Sequence, residues 1–396
     1  MKIFLIGWFG AGNAGDEAIL VSELLFLRSR IREPEFHILS FDPEKTRKIT
    51  AGMPEVKKIL RMGSKSKAGK SDFSGINRAF NEADLVIIGG GGIFQDIYNR
   101  YPIPFFAAMA FLSRIKKKLL ALYCVGIGPV RATWSGKLCR YAANAADFVS
   151  VRDEESESLL RAFGVTKEIL VSADPVFLLE PAWNEKTLQA VKNIEGNADQ
   201  RFVGVCVQEL LPWDDSNKAV LAEVLDAVAR ESNARIVMLP MGAYRDGWTG
   251  RSGDKDTVDV AASKRLAARM ESRVSILPMD LSPPELLGVI RKMDLVISMR
   301  LHGVIMGLAA AVPVIAMTYE EETKIRNLMY RVGREKYLFD VRRLDRNALV
   351  GAASDLLSES PGRRDILSEK LALMKSQAEK CNERMIETFL EKGLAC

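Results

Sequence analysis

Short, almost continuously apolar runs recur along this chain, and helix-period stretches separate them. Met1–Gly7 (MKIFLIG), Phe36–Phe41, Leu85–Ile88, Leu119–Val125, Phe148–Val151 and Ile169–Ser172 read as strands. A strand that is apolar on both faces must be buried on both, and a parallel sheet between two layers of helices provides that. The pattern restarts after a polar stretch, Glu180–Gln200, with Phe202–Val207, Arg235–Leu239, Val274–Leu277, Leu295–Ser298 and Val312–Met317. The expected fold is therefore α/β: two Rossmann-like, doubly wound domains facing a cleft, over residues 1–179 and 180–362. Ligands of such sheets bind outside the carboxyl ends of the strands. Residues 363–396 add a long C-terminal helix, in which Leu367, Leu371, Met374, Ala378, Cys381, Met385 and Phe389 recur at steps of three and four. It reads either as packing back on the N-terminal domain or as a dimerisation helix.

Composition narrows the function classes. A length of 396 residues suits two or three domains, and 48% apolar with 27% charged residues is a globular balance. The net charge is only +5, without a dominant basic stripe, so a duplex-binding protein is not expected. Five scattered cysteines without a C-x-x-C argue against a disulfide framework and a structural zinc. No apolar run reaches the ~18 residues of a membrane span, and no leader-like segment opens the chain. The expected location is cytoplasmic, extending to a peripheral place at the cytoplasmic face of the membrane. One segment bears on that: Pro102–Leu112 (PIPFFAAMAFL) is followed by Arg114 and Lys116-Lys117-Lys118. It reads as a buried helix or as a surface resting on anionic lipid. Arg61–Ser71 reads as a polar Gly/Ser/Lys loop.

Four constellations could carry chemistry. Gly10, Gly12 and Gly15 match G-x-G-x-x-G between a strand and a helix. A dinucleotide reading would use Asp42 as the ribose acid, but Asp16 and Glu17 at the helix start oppose a pyrophosphate. Asp16 is either a helix cap or a base. Gly89–Gly92, followed by Asp96, offers an N–H cradle for an anion or simply a tight crossing. Arg152 leaves a strand and reaches either a ligand or the acids Asp153 and Glu154. Asp174, held extended by Pro175, is a hinge or a site acid. The sharpest constellation is Arg300-Leu301-His302-Gly303 after a buried strand. A guanidinium and a helix start can hold a phosphate or carboxylate there, and His302 can exchange a proton near neutral pH. His37, in mid-strand, is the structural counterpart. No metal-ligand set is visible, and neither a metal nor a cofactor is expected.

Gly12-Asn13-Ala14-Gly15-Asp16-Glu17, Gly89–Gly92 with Asp96, Arg152-Asp153 with Ser156, Ala173-Asp174-Pro175, Arg300-Leu301-His302-Gly303 and Val312-Pro313-Val314-Ile315 with Tyr319 and Lys324 occur in that order. In this ordered set the chain resembles the polysaccharide pyruvyl transferase family, CsaB type, over about residues 1–330. Many members carry Asp-Pro-Lys after the tyrosine; here Tyr319 leads into Glu320-Glu321-Glu322, leaving Lys324 as the substitute. The resemblance implies a glycosyltransferase-B-like architecture and transfer of pyruvate from phosphoenolpyruvate to a sugar as a ketal. For the CsaB type the acceptor is an N-acetylmannosamine residue of a lipid-diphosphate-linked disaccharide, the precursor of a cell-wall polymer that anchors S-layer proteins. The catalytic residues would be His302 as acid and Asp16 or Asp174 as base. Arg300, Arg152, Gly12, Asn13, Gly15, Gly90, Gly91, Gly92, Asp96, Tyr319 and Lys324 would bind substrate. The alternatives are a nucleotide-sugar glycosyltransferase of the same architecture, an NAD-dependent enzyme and a non-catalytic sugar-phosphate module.

Overall fold

A computed structural model describes residues 1–62, 71–97, 101–194, 199–209, 213–242, 258–320, 322–358 and 361–394. The first sheet has seven strands: β1 (Lys2–Ile6), β2 (Glu35–Ser40), β3 (Val56–Arg61), β4 (Leu85–Phe94), β5 (Leu119–Ile127), β6 (Phe148–Val151) and β7 (Leu170–Val171). Their order is β3-β2-β1-β4-β5-β6-β7, and every pair is parallel. The second has six: β8 (Arg201–Cys206), β9 (Ala234–Met238), β10 (Val274–Ile276), β11 (Leu295–Ser298), β12 (Val314–Thr318) and β13 (Leu338–Asp340). They run β10-β9-β8-β11-β12-β13, again all parallel. Each sheet reverses its strand order once, at β1/β4 and at β8/β11. A crevice opens at such switch points, outside the carboxyl ends of the strands.

Burial on both faces can be followed residue by residue. Along β1, Ile3 and Leu5 belong to one core cluster, while Phe4 and Ile6 belong to another. This is the period of two that a pleated strand imposes, with no polar face left. By its contacts the chain falls into two compact units: residues 1–12, 16–178 and 374–396 make one, and residues 13–15 and 179–373 the other. The helix Pro361–Glu391 thus ends in the first unit. There Cys381, Met385, Ile386 and Phe389 share a cluster with Ile3, Leu24, Phe36 and Tyr123, and the Tyr123 hydroxyl donates to Asn382 Oδ1 at 2.6 Å.

Four details differ from the sequence reading. β3 and β13 are additional strands, and both are sheet edges. β3 (VKKILR) carries lysines where an edge is protected by charge, and β13 is three residues long, so neither shows the apolar run of a central strand. β4 does not stop at Ile88. It continues through the glycines to Phe94, with Gly90 and Gly91 at φ +76° and +78° and a shift of register against β5. The polar stretch before β8 contains a helix, Glu185–Ile194, whose Thr187, Ala190, Val191 and Ile194 are buried at helical spacing. The loop Arg61–Ser71 falls mostly outside the described residues, as does Glu321.

One buried acid makes stability depend on pH. Glu23, on the helix Ala14–Arg30, is 1% exposed, and neither carboxylate oxygen has a hydrogen-bond partner. Burial pushes its pKa from 4.5 to about 8. The unfolded chain releases this proton near 4.5, whereas the folded chain keeps it to about 8, so stability falls as pH rises between them. Glu23→Gln should be more stable than the wild type at pH 8, by on the order of a few kcal/mol. It should also lose the decline above pH 5 in urea unfolding. Parallel pH profiles for the two proteins would show that Glu23 is already ionised in the native state.

Candidate active site

The carboxyl edge of the first sheet collects most of the predicted residues of that unit. β1 leads into the glycine loop, where the Gly10 N–H donates to Glu17 Oε1 at 2.9 Å. Glu17 is 2% exposed, and burial pushes its pKa to about 7. The neighbouring Asp16 pushes the same way, while Lys45 and the N–H groups of Gly10 and Gly12 pull it down. Glu17 therefore ties the loop to the first turn of the next helix. Asp16 is buried against the glycine strand: a Cβ at Gly91 would stand 2.5 Å from Asp16 Oδ1. With its positive φ, that position admits no side chain without strain.

Arg152 follows β6 and is 5% exposed. It lies 3.4 Å from Asp174 Oδ2 and 3.6 Å from Asp153 Oδ2, so it joins one predicted site acid and one of its own neighbours. Asp174 Oδ1 also accepts the Val176 N–H at 3.1 Å. Asp96 accepts from the N–H groups of Arg131 (2.8 Å) and Ala132 (3.0 Å), so its carboxylate braces the loop after β5. Asp42, the ribose acid of a dinucleotide reading, caps the helix Pro43–Ile49 through the N–H groups of Glu44 and Lys45.

The second unit holds the predicted residues Asn13, Gly15, Arg300, His302, Tyr319 and Lys324. Its segment Asn13–Gly15 pairs with the chain after β9: Asn13 bridges Gly242, and the Ala14 N–H donates to the Met241 carbonyl at 2.7 Å. Asn13 Oδ1 accepts the Gly15 N–H at 3.2 Å. Met241 and Gly242 in turn donate their N–H groups to Asp259 Oδ2, at 3.2 and 2.7 Å. Asp259 has no exposed surface and holds Arg300 in a fork: Nε reaches Oδ2 at 3.0 Å and Nη2 reaches Oδ1. Ser298, the last residue of β11, accepts from the Arg300 N–H and donates to its carbonyl, which fixes the turn. His302 follows on the helix Leu301–Ala309 and is 7% exposed. A Cβ at Gly15 would overlap the His302 ring, so the imidazole lies directly on the Gly15 backbone.

The chemistry of the turn suits an anion. Arg300 stands at the N-cap of the helix with no side-chain cap bond, so the first N–H groups and their dipole complement a negative charge. Asp259 occupies Nε and Nη2, leaving the Nη1 edge of the guanidinium outside that pair. Tyr319 follows β12 and is half-buried, as is Lys324. Glu322 caps the helix Thr323–Arg331 by accepting the Lys324 N–H at 3.0 Å, and Glu320 lies 3.8 Å from Arg342. These acids thus have local structural partners. His37 sits within β2, 1% exposed, its pKa lowered by burial and by Lys58. Among the described residues, no three His, Cys, Asp or Glu side chains cluster as metal ligands would.

A family model for polysaccharide pyruvyl transferase matches residues 13–321. The chain belongs to the polysaccharide pyruvyl transferase family. Its match begins at the Asn13 turn and includes Asp16, Gly90–Gly92, Arg152, Asp174, Arg300, His302 and Tyr319. Among curated relatives, the amylovoran biosynthesis protein AmsJ of Erwinia amylovora is 22% identical over 388 residues, covering 90% of this chain and 92% of that protein. The fold is also that of UDP-GlcNAc 2-epimerases. The Methanocaldococcus jannaschii enzyme aligns with a TM-score of 0.60 at 14% identity over 91% of this chain and 94% of its own. HepE of Anabaena, solved in complex with UDP and glucose, gives 0.60 at 14% over 99% and 100%. This pyruvyl transferase family enzyme therefore has a glycosyltransferase-B-like fold.

Asp259, Met241 and Gly242 are functional candidates that sequence reasoning did not single out, and Glu17 was read only as a charge at the helix start. The chain turns out of β9 at Leu239-Pro240-Met241-Gly242, which marks a strand end, but nothing in the sequence near Asp259 announces a buried acid. Asp259→Asn should keep the fold and release Arg300. Losing a charge-assisted contact of about 1.5–3 kcal/mol implies a fall in donor kcat/KM of at least about tenfold. Gly15→Ala should displace the imidazole and lower kcat at near-normal thermal stability. Steady-state kinetics beside a melting curve checks both; wild-type kinetics for either variant would remove that contact from the site.

Proposed function

We propose that this pyruvyl transferase uses phosphoenolpyruvate as donor and forms a cyclic pyruvate ketal on two hydroxyls of one sugar, releasing inorganic phosphate. The observation that carries the reading is the Arg300–His302 turn, in which Asp259 fixes the guanidinium and Gly15 seats the imidazole. Phosphoenolpyruvate brings a carboxylate and a phosphate, and Arg300 at an uncapped helix start suits either. His302 gives its proton to carbon 3, which turns the methylene into a methyl group and makes carbon 2 electrophilic. A sugar hydroxyl attacks carbon 2 as a base takes its proton. A second hydroxyl of the same sugar then displaces phosphate and closes the ring. Asp16 or Asp174 serves as that base. Arg152 and the N–H groups around Gly90–Gly92 are further anion-binding candidates. No redox or nucleotide cofactor enters this scheme.

The acceptor follows the CsaB-type resemblance: an N-acetylmannosamine residue on a lipid-diphosphate-linked precursor of a secondary cell-wall polymer, whose ketal serves in S-layer anchoring. Such an acceptor places the reaction at the cytoplasmic face of the membrane. The likeness to AmsJ, a protein of amylovoran biosynthesis, supports a second acceptor class, the repeat-unit sugar of an exopolysaccharide. Incubation with phosphoenolpyruvate and each acceptor class should give a product heavier by one pyruvate less one water, together with free phosphate. Turnover of a UDP-sugar, with no transfer from phosphoenolpyruvate, would replace this reading with a glycosyltransferase.

His302 bears the chemical step. A general acid contributes about 100- to 10,000-fold, so His302→Ala should lower kcat by at least about two orders of magnitude. His302→Gln donates a hydrogen bond but no proton and should be nearly as slow. In deuterium oxide the wild type should label the pyruvyl methyl group. Near-normal turnover with that label in the Gln variant would assign the proton to another residue.

A further inference from the structure

We infer that the first unit carries a docking face for an anionic membrane surface, formed by the helix Pro102–Ile115 and the helix Thr133–Ala145 packed against it. The charge pattern comes first. Residues 101–146 hold seven Lys and Arg and not one Asp or Glu. At the chain's average acidity, a stretch of that length would carry about six acids. Two acids just outside it have cationic partners: Asp147 pairs with Lys392 at 3.2 Å, and Glu157, on the next helix, with Arg161 at 3.5 Å.

The second observation is apolar. Ile103, Phe106, Ala107 and Ala110 bury one face of the first helix in the core. Phe111 and Ile115, one turn apart and turned away from that face, are 50% and 60% exposed. Trp134 and Tyr141, two turns apart on the second helix, are 41% and 40% exposed, and the rings of Phe111 and Tyr141 lie 6.3 Å apart. The segment that could be read as buried or as membrane-facing is thus both, one face each. Lys117, Lys137 and Arg140 are exposed close by in the chain, while Lys116 and Lys118 anchor to Asn81.

Aromatic and aliphatic side chains interleaved with cations on two helix surfaces suit a lipid headgroup layer. Amphipathic rings settle at the interface and the cations meet lipid phosphate. A nucleic acid would reward the cations and the rings but not Ile115. The face needs no sugar or donor, so its failure leaves the pyruvyl-transfer reading standing, and the reverse holds as well.

The test uses the full chain and vesicles free of any sugar lipid. The protein should sediment with phosphatidylglycerol/phosphatidylcholine vesicles at 0.1 M salt, far less with phosphatidylcholine alone, and less again as salt rises. Each basic residue near such a surface is worth roughly a factor of five in partition. Lys117→Glu with Lys137→Glu and Arg140→Glu should therefore weaken binding at least about a hundredfold. Phe111→Ser with Ile115→Ser should weaken it while leaving the salt dependence in place. Brominated acyl chains should quench tryptophan emission, and Trp134→Phe should remove that quenching. Equal binding to both vesicle types, binding that all variants retain, or quenching that survives Trp134→Phe would overturn the proposal. So would competition by single-stranded DNA at concentrations that match the lipid.

Discussion

Asp259 is the carboxylate on which the arrangement around Arg300 depends. A fully buried acid is tolerated when its oxygens are met by donors, and here they are met by two backbone N–H groups and a guanidinium fork. The same group performs two tasks. It fixes Arg300 in one orientation, and it holds the backbone of Met241 and Gly242, which pairs with Asn13 and Ala14. Removing one partner would leave a buried charge without compensation, which is costlier than losing a surface bridge. The position of the Gly15 backbone on His302 thus follows from a chain of contacts that begins at Asp259.

Parallel sheets explain why so few residues can do this. In both units the strands end at the same edge, so each connection that leaves a strand begins beside its neighbours. The β1 glycine loop, the β4 glycines, Arg152 after β6 and Asp174 after β7 share one edge. Met241 after β9, Arg300 after β11 and Tyr319 after β12 share the other. Residues far apart in sequence are gathered by topology, and the charged ones among them are fixed by guanidinium–carboxylate pairs whose carboxylates also accept backbone N–H groups.

That mode of fixing also decides what could be read before the structure. The central strands were legible because a strand buried on both faces must be apolar throughout, as in β1, β5 and β11. β3 and β13 were not, because both are only partly buried, β3 with its pattern diluted by lysines and β13 cut to three residues. The helix Glu185–Ile194 hid behind its charged face, although four buried positions kept the helical period. Arg300 and His302 stood out because a strand runs directly into them. Asp259 did not, because its importance lies in partners 41 and 17 residues away in the chain, and no local spacing encodes those distances. Asp42 shows the opposite case: an acid at the end of a strand looks functional even where it caps the next helix.

Glu17 adds a constraint that links the loop to its neighbours through a proton. Its Oε1 accepts the Gly10 N–H, an interaction that favours the ionised form, while burial and Asp16 favour the neutral one. Burial wins and leaves the pKa at about 7. Because the unfolded chain would ionise this group near 4.5, its contribution to stability fades as pH rises towards 7, in the same direction as Glu23. The hydrogen bond to Gly10, however, strengthens over that same range, since a carboxylate accepts better than a carboxylic acid. Global stability and this hydrogen bond therefore move in opposite directions with pH. The glycine turn that seats His302 is covalently joined to the residue pair that balances them. A single proton on Glu17 thus sets a loss of global stability against a stronger hydrogen bond within the glycine loop.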